Sequence, residues 1–221
     1  MLTVHHLNNS RSQRVLWLLE ELDVPYEIVR YQRQPNMLAP PELRKIHPLG
    51  KSPVVTDNGN TIAESGAIME YVTGTYGDGR LVPPPGTPER LRYTYWLHYA
   101  EGSAMPPLLL KLIFGMMPKR APALMRPFVK AISNKALETM VTPQLKTHMA
   151  FWEAELGKSE WFAGETFSAA DIQMSFPLEA AAARGGLEHG HPKAMAWLAK
   201  IHARPAYKRA LDKGGPYTIG K

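Results

Sequence analysis

Cysteine is absent from the 221 residues. That excludes disulfides, thiolate metal sites and any cysteine nucleophile, so a thiol that takes part in chemistry must arrive with a ligand. Long apolar runs are missing as well. The longest apolar patch, Leu108 to Met117, is interrupted by Lys111 and lies between prolines, too short to span a bilayer. Met1 to His6 shows no basic segment followed by an apolar stretch, so no signal peptide is expected. The eight histidines make no metal pattern: His5-His6 sit together near the N-terminus and His189 and His191 in a Gly-rich stretch, fewer ligands than a zinc site needs. The net charge of +6 and pI near 9.5 favour anionic ligands. The charges are spread along the chain without a recognised nucleic-acid motif, so neither a nucleic-acid nor a membrane partner is expected, and the location is expected to be cytoplasmic.

What is present describes a globular chain, with 44% apolar and 21% charged residues, long enough for a sizeable core. Leu2 to Leu7 reads as a strand and Asn8-Asn9-Ser10 as a turn. A helix from Arg11 follows, with Val15, Leu16, Leu18, Leu19 and Leu22 on its apolar face and Glu20-Glu21 outward. Tyr26 to Tyr31 alternates as a second strand, which makes a βαβ unit with parallel strands. After a proline-rich loop, Glu42 to Ile46 is a short helix. Ser52 to Thr56 is extended, Asp57-Asn58-Gly59-Asn60 is a tight hairpin turn, Thr61 to Ala63 returns, and a helix begins at Glu64-Ser65. Glycines and prolines between Gly74 and Pro88 mark a boundary. The expected organisation is an α/β thioredoxin-like domain over 1–77, a linker over 78–88 and an all-α domain over 89–221. In the second domain, Arg90 to Met105 reads as one helix ended or kinked by Pro106-Pro107. Lys130 to Leu156 reads as a long helix bent at Pro143, and Ser168 to Asp171 as a capping box opening an apolar helix.

The hairpin has chemistry at both ends. Ser65 reads as an N-cap, at a helix start that attracts carboxylates, and Glu64 beside it can hold an ammonium; together they suit a zwitterionic amino-acid head group. Pro53, if cis, would turn the Val54 backbone toward a ligand lying like an added strand. An ordinary hairpin and capped helix account for the same string. Ser10 sits where a strand turns into a helix, beside Arg11 and Arg14. There a hydroxyl donating to a thiolate would stabilise the charged form, without acting as a nucleophile and without a histidine partner. A simple helix cap at Ser10 or Ser12 fits equally.

His47-Pro48-Leu49-Gly50-Lys51-Ser52-Pro53-Val54 and Glu64-Ser65-Gly66-Ala67-Ile68 resemble the glutathione site of the glutathione transferase family. Thr166 to Ile172 and Arg204-Pro205-Ala206 resemble that family's folding elements, so the likeness covers nearly the whole chain. The turn at Ser10 is similar to theta and delta members, a zeta-like alignment selects Asn9, and Ser-Arg-Ser before Leu-Trp-Leu-Leu-Glu resembles a fungal and bacterial branch. The resemblance implies a cis Pro53, glutathione as co-substrate held by Lys51, Ser52, Pro53, Val54, Glu64 and Ser65, and a thiolate donor ranked Ser10, then Asn9, then Arg11. It also implies a hydrophobic acceptor site drawn from Tyr95, Tyr99, Ser103, Met105 and Phe114, and Glu101 reaching a ligand across the interface of a homodimer. The implied activity is conjugation to a hydrophobic electrophile in detoxification. Glutathione-dependent peroxidase or dehalogenase chemistry and a non-catalytic binding or regulatory role are the alternatives. Lack of cysteine separates the chain from the cysteine-using beta and omega classes.

Overall fold

The computed structural model describes residues 1–215 and 217–219; Pro216, Gly220 and Lys221, the end of the expected second domain, lie outside the described residues. Four strands form one sheet in the order β2-β1-β3-β4, with β1 Leu2–Leu7, β2 Tyr26–Tyr31, β3 Val54–Asp57 and β4 Asn60–Ala63. β1 runs parallel to β2, with Leu2 opposite Tyr26 and Leu7 opposite Tyr31, and antiparallel to β3. The expected hairpin is there: Asn58 and Gly59 have φ of 47° and 80°, the positive pair that a two-residue type I′ turn requires.

Helix α1, Ser12–Glu21, is buried along nearly its whole length, because the sheet covers one side and the second domain the other. Its Leu16, Leu18 and Leu19 are fully enclosed, each such side chain contributing roughly 1.5–3 kcal/mol. The outward assignment of Glu20 and Glu21 is therefore wrong. Glu20 is buried against Arg209 (2.9 Å) and Lys213 (2.5 Å), and Glu21 pairs with Arg204 (2.6 Å). Arg204 follows α9, Pro192–Ala203, and Arg209 and Lys213 come from α10, Pro205–Gly214, which packs on α1. A single helix pattern does not reveal a second covered face.

Helices α2, Leu43–Ile46, and α3, Ser65–Tyr76, complete the first unit. Thr87 caps α4, Pro88–Tyr99, by accepting the Arg90 N–H at 3.2 Å. Pro106-Pro107 neither ends nor separates this helix from the next. A five-residue π turn, Ala100–Ala104, leads directly into α5, Met105–Arg120, so both prolines occupy the first turn, where a missing N–H is tolerated. The long helix expected over Lys130 to Leu156 runs without a gap from Arg126 to Glu155, as α6, Arg126–Ala136, a π turn over Leu137–Val141 and α7, Thr142–Glu155, with that irregularity just ahead of Pro143. The capping box at α8, Ala169–Arg184, is as expected: Asp171 accepts the Ser168 N–H at 2.9 Å. Asp171 also accepts the Phe162 N–H at 2.9 Å, and burial pushes its carboxyl up to about 6. Trp96, Trp152, Phe162 and Trp197 form the aromatic centre of the helical unit.

Candidate active site

One end of β1 gathers three separate chain segments. The turn Asn8 to Arg11 leaves its C-terminal end, with Asn9 at φ 49°. Arg33 clamps this turn by donating to the Asn8 and Asn9 carbonyls at 3.2 and 3.1 Å, while the Asn8 side chain accepts the Arg33 N–H at 2.7 Å. The second segment is the corner before β3. Ser52-Pro53 is cis, the Ser52 hydroxyl donates to the His5 carbonyl at 2.9 Å, and Val54 lies opposite His5. The third is the start of α3. Glu64 stands just before the helix at φ 69° and ψ 122°, a sparsely populated conformation for a residue with a Cβ. Its side chain is exposed, whereas Ser65 is buried.

Ser65 is not the N-cap expected from sequence. It is the first helical residue, and its hydroxyl accepts from Arg14 (3.0 Å) and from the Gln173 amide (3.1 Å). Its own proton remains available to a ligand, as do the unpaired N–H groups of a first helical turn.

Arg14 is the centre of this arrangement, at 1% exposure. Besides Ser65 it donates to the Gln173 carbonyl at 2.5 Å and to Glu101 at 2.6 Å, and its guanidinium lies 5.3 Å from the Phe176 ring centroid. Burial pulls its pKa down, and Glu101 opposes that. Glu101, in the π turn between α4 and α5, also accepts two bonds from Arg11 at 2.9 and 2.8 Å. Burial alone would push the Glu101 carboxyl up; Arg14 and Arg11 outweigh it and hold the carboxyl below its ordinary value. The π turn thus places one acid where two domains meet around α1. Arg33, Gln173 and the bridging role of Arg14 had no sequence signal, since their partners lie 24 to 159 residues away.

Ser10 is buried in a hydroxyl pair. Its Oγ lies 2.7 Å from Ser12 Oγ and accepts the Ser12 N–H at 3.2 Å. Ser12 Oγ lies 2.9 Å from His6 Nδ1. A histidine that sequence reasoning did not require therefore stands behind the serine, one hydroxyl removed. When Ser12 donates to Ser10, the Ser10 proton is left to point outward. Asn9 uses its side-chain oxygen to accept the Thr218 N–H at 2.7 Å, and Arg11 is engaged by Glu101. Lys51 is exposed near the cis corner.

The acceptor candidates differ in exposure and in what they touch. Tyr99 is buried, accepts the Trp152 indole N–H at 3.1 Å and stacks on Tyr95 at 5.5 Å. Met105 is buried, Ser103 exposed, and Phe114 lines a groove between α5 and α6.

The glutathione S-transferase N-terminal domain model matches residues 1–74, and the C-terminal domain model residues 116–205. "Glutathione S-transferase 3" of Schizosaccharomyces pombe is 36% identical over 219 residues, covering 99% of this chain and 90% of its own. The chain belongs to the glutathione S-transferase family. "Glutathione S-transferase 1" of Saccharomyces cerevisiae is 33% identical, over 96% of this chain and 95% of that one. Among solved structures, a glutathione S-transferase from Actinobacillus pleuropneumoniae superposes with a TM-score of 0.78 at 29% identity, covering 97% of this chain and 93% of that one. A sphingomonad glutathione S-transferase complexed with glutathione shares the fold, with a TM-score of 0.72, 24% identity, and coverage of 96% and 98%. Family membership and the thioredoxin-like plus helical architecture are both as expected from sequence.

Proposed function

We propose that this member of the glutathione S-transferase family binds glutathione at the C-terminal end of β1 and transfers its sulfur to a hydrophobic electrophile. The observation that carries the reading is the convergence there of the cis Ser52-Pro53 corner, the Glu64-Ser65 helix start and the Ser10 turn, tied by the Ser52–His5 and Arg14–Ser65 hydrogen bonds. The cis Pro53 shapes the corner for the cysteinyl part, Ser52 braces it, and Val54, buried between His5 and Ala63, holds it in the sheet. Ser65 and the α3 N-terminus take the γ-glutamyl carboxylate, Glu64 its ammonium, and Lys51 the glycyl carboxylate.

The thiol loses its proton to solvent. Ser10 donates to the resulting thiolate, and this lowers the thiol pKa. The thiolate forms a C–S bond at the electrophilic carbon while the leaving group departs with its bonding pair. Ser10 is preferred to Arg11, which Glu101 neutralises; Asn9, whose side-chain oxygen accepts from Thr218, keeps its amide N–H donors and stands second. Tyr99, Ser103, Met105 and Phe114 remain the acceptor candidates. Family resemblance supports a homodimer, a cytoplasmic location and a detoxifying role. Within its own subunit Glu101 pairs with Arg11 and Arg14, so a reach to a partner's ligand would require it to leave them.

A test is calorimetric titration with glutathione followed by conjugation of an aryl halide, with the thioether identified by mass spectrometry. Binding and thioether formation are expected. Binding without turnover on aryl halide, epoxide or hydroperoxide would replace this reading with the non-catalytic one, and absence of binding would remove the ligand assignment.

A further inference from the structure

The positive charge is not evenly spread, contrary to its appearance along the sequence. Residues 102–137 contain Lys111, Lys119, Arg120, Arg126, Lys130 and Lys135 and not one Asp or Glu. Outside this stretch the remaining 20 Lys and Arg equal the 20 Asp and Glu, so the whole net charge of +6 resides in α5, α6 and the loop between them. Lys135 meets Glu138 at the segment's edge at 3.6 Å; Lys119, Arg120, Arg126 and Lys130 have no acid paired to them among the described residues.

The same stretch exposes large apolar side chains. Leu124, Phe128 and Ile132 follow one another at four-residue spacing and are 86%, 68% and 65% exposed. Leu109, Ile113 and Met117 repeat that spacing along α5 and are also exposed. Of the eleven residues of α6, Ser133 alone is buried, so this helix stands out from the body with little of it in the core. Between the two helices runs a groove of about 810 Å³, lined by Phe114, Pro118 and Leu137 and rimmed by Lys119, Arg126 and Lys130.

We propose that α5, α6 and their connecting loop form a docking surface for an anionic lipid bilayer. Lys and Arg would meet the headgroup phosphates while Leu124, Phe128 and Ile132 enter the headgroup–acyl boundary. Charge complementarity selects this occupant. A second copy of the chain on this face would bring one acid-free cationic surface against another. The proposal departs from the sequence-based expectation of no membrane partner. It concerns attachment at the surface: among the described residues, no helix is long and apolar enough to cross a membrane. It stands independently of the catalytic reading.

The experiment is flotation of the full chain with phosphatidylcholine vesicles, with and without phosphatidylserine, at low and high salt. Wild type is expected to float with the phosphatidylserine vesicles only, and to be released by salt. The triple variant Lys119→Gln, Arg126→Gln, Lys130→Gln is expected to lower the partition coefficient by about 100-fold. Leu124→Ser with Phe128→Ser is expected to lower it by about tenfold or more at unchanged charge. All five positions are exposed and remote from the glutathione residues, so thermal unfolding and glutathione affinity should match wild type in both variants; a match shows that a loss of flotation belongs to the surface. Three results would overturn the proposal. They are no flotation of wild type, flotation insensitive to Leu124 and Phe128 (a purely ionic face, suited to an acidic protein), and self-association that depends on those two residues.

Discussion

Replacing Arg14 by Met keeps the length and bulk of the side chain and removes its charge and donors. The structure sets the magnitude. Arg14 makes three side-chain hydrogen bonds, to the Gln173 carbonyl, Ser65 Oγ and Glu101, from a position 1% exposed. Removing one partner of a buried pair typically costs about 3–5 kcal/mol, because the other is left uncompensated. Arg11 stays on Glu101 and reduces that loss, whereas the Gln173 carbonyl is left bare at about 1–3 kcal/mol. A net destabilisation of about 3–4 kcal/mol is expected from urea unfolding. Its pH dependence has a definite sign. The Glu101 carboxyl is held low in the folded chain, so its contribution is present above the ordinary carboxylate range and is lost as pH falls through and below it. The gap between Arg14→Met and wild type should therefore narrow in acid. A loss under about 1 kcal/mol, or a gap that widens below about pH 4, would refute the bridging role.

Three further outcomes follow from individual residues. Asp171→Asn turns amide hydrogens onto one of the two N–H groups, of Phe162 and Ser168, that the carboxylate now accepts while its oxygen keeps the other, and should lower stability by about 1–3 kcal/mol in urea unfolding; an unchanged midpoint would count against it. In wild type, the raised Asp171 pKa of about 6 makes this group's contribution larger below the unfolded carboxylate pKa and smaller as pH rises through 6, a dependence that Asp171→Asn should remove. Glu64→Gly relieves the φ of 69° while removing the ammonium partner, so stability should stay level or rise by about 1 kcal/mol as glutathione affinity falls about tenfold; calorimetry and unfolding on the same sample separate the two effects.

How far the sequence reached depended on how local each interaction is. The Asp57 to Asn60 turn and the Ser168–Asp171 box are each closed by residues within four positions, and both form as read. The local pattern at Ser65 reads as a cap because Arg14 and Gln173, which hold its hydroxyl, are 51 and 108 residues away. Glu20 and Glu21 looked exposed because their cations arrive from the last quarter of the chain. The end or kink expected at Pro106-Pro107 and the bend expected at Pro143 take the form of π turns just ahead of those prolines, which absorb the missing N–H without ending the helix. The fold was legible from period and turns. In the site, backbone corners were legible, whereas the Arg14–Glu101 bridge and the His6–Ser12–Ser10 contacts needed the tertiary structure.

The most direct test of the central claim is the pKa of bound glutathione, read from the thiolate ultraviolet band against pH in wild type and Ser10→Ala. The account predicts a value well below the free-thiol value of about 8.5 in wild type. With binding retained, Ser10→Ala should raise it by about one to two units, the worth of one hydrogen bond to a charged group. Glutathione bound with an unshifted thiol in wild type would contradict the claim, and a shift that survives Ser10→Ala would take the role of thiolate donor away from Ser10.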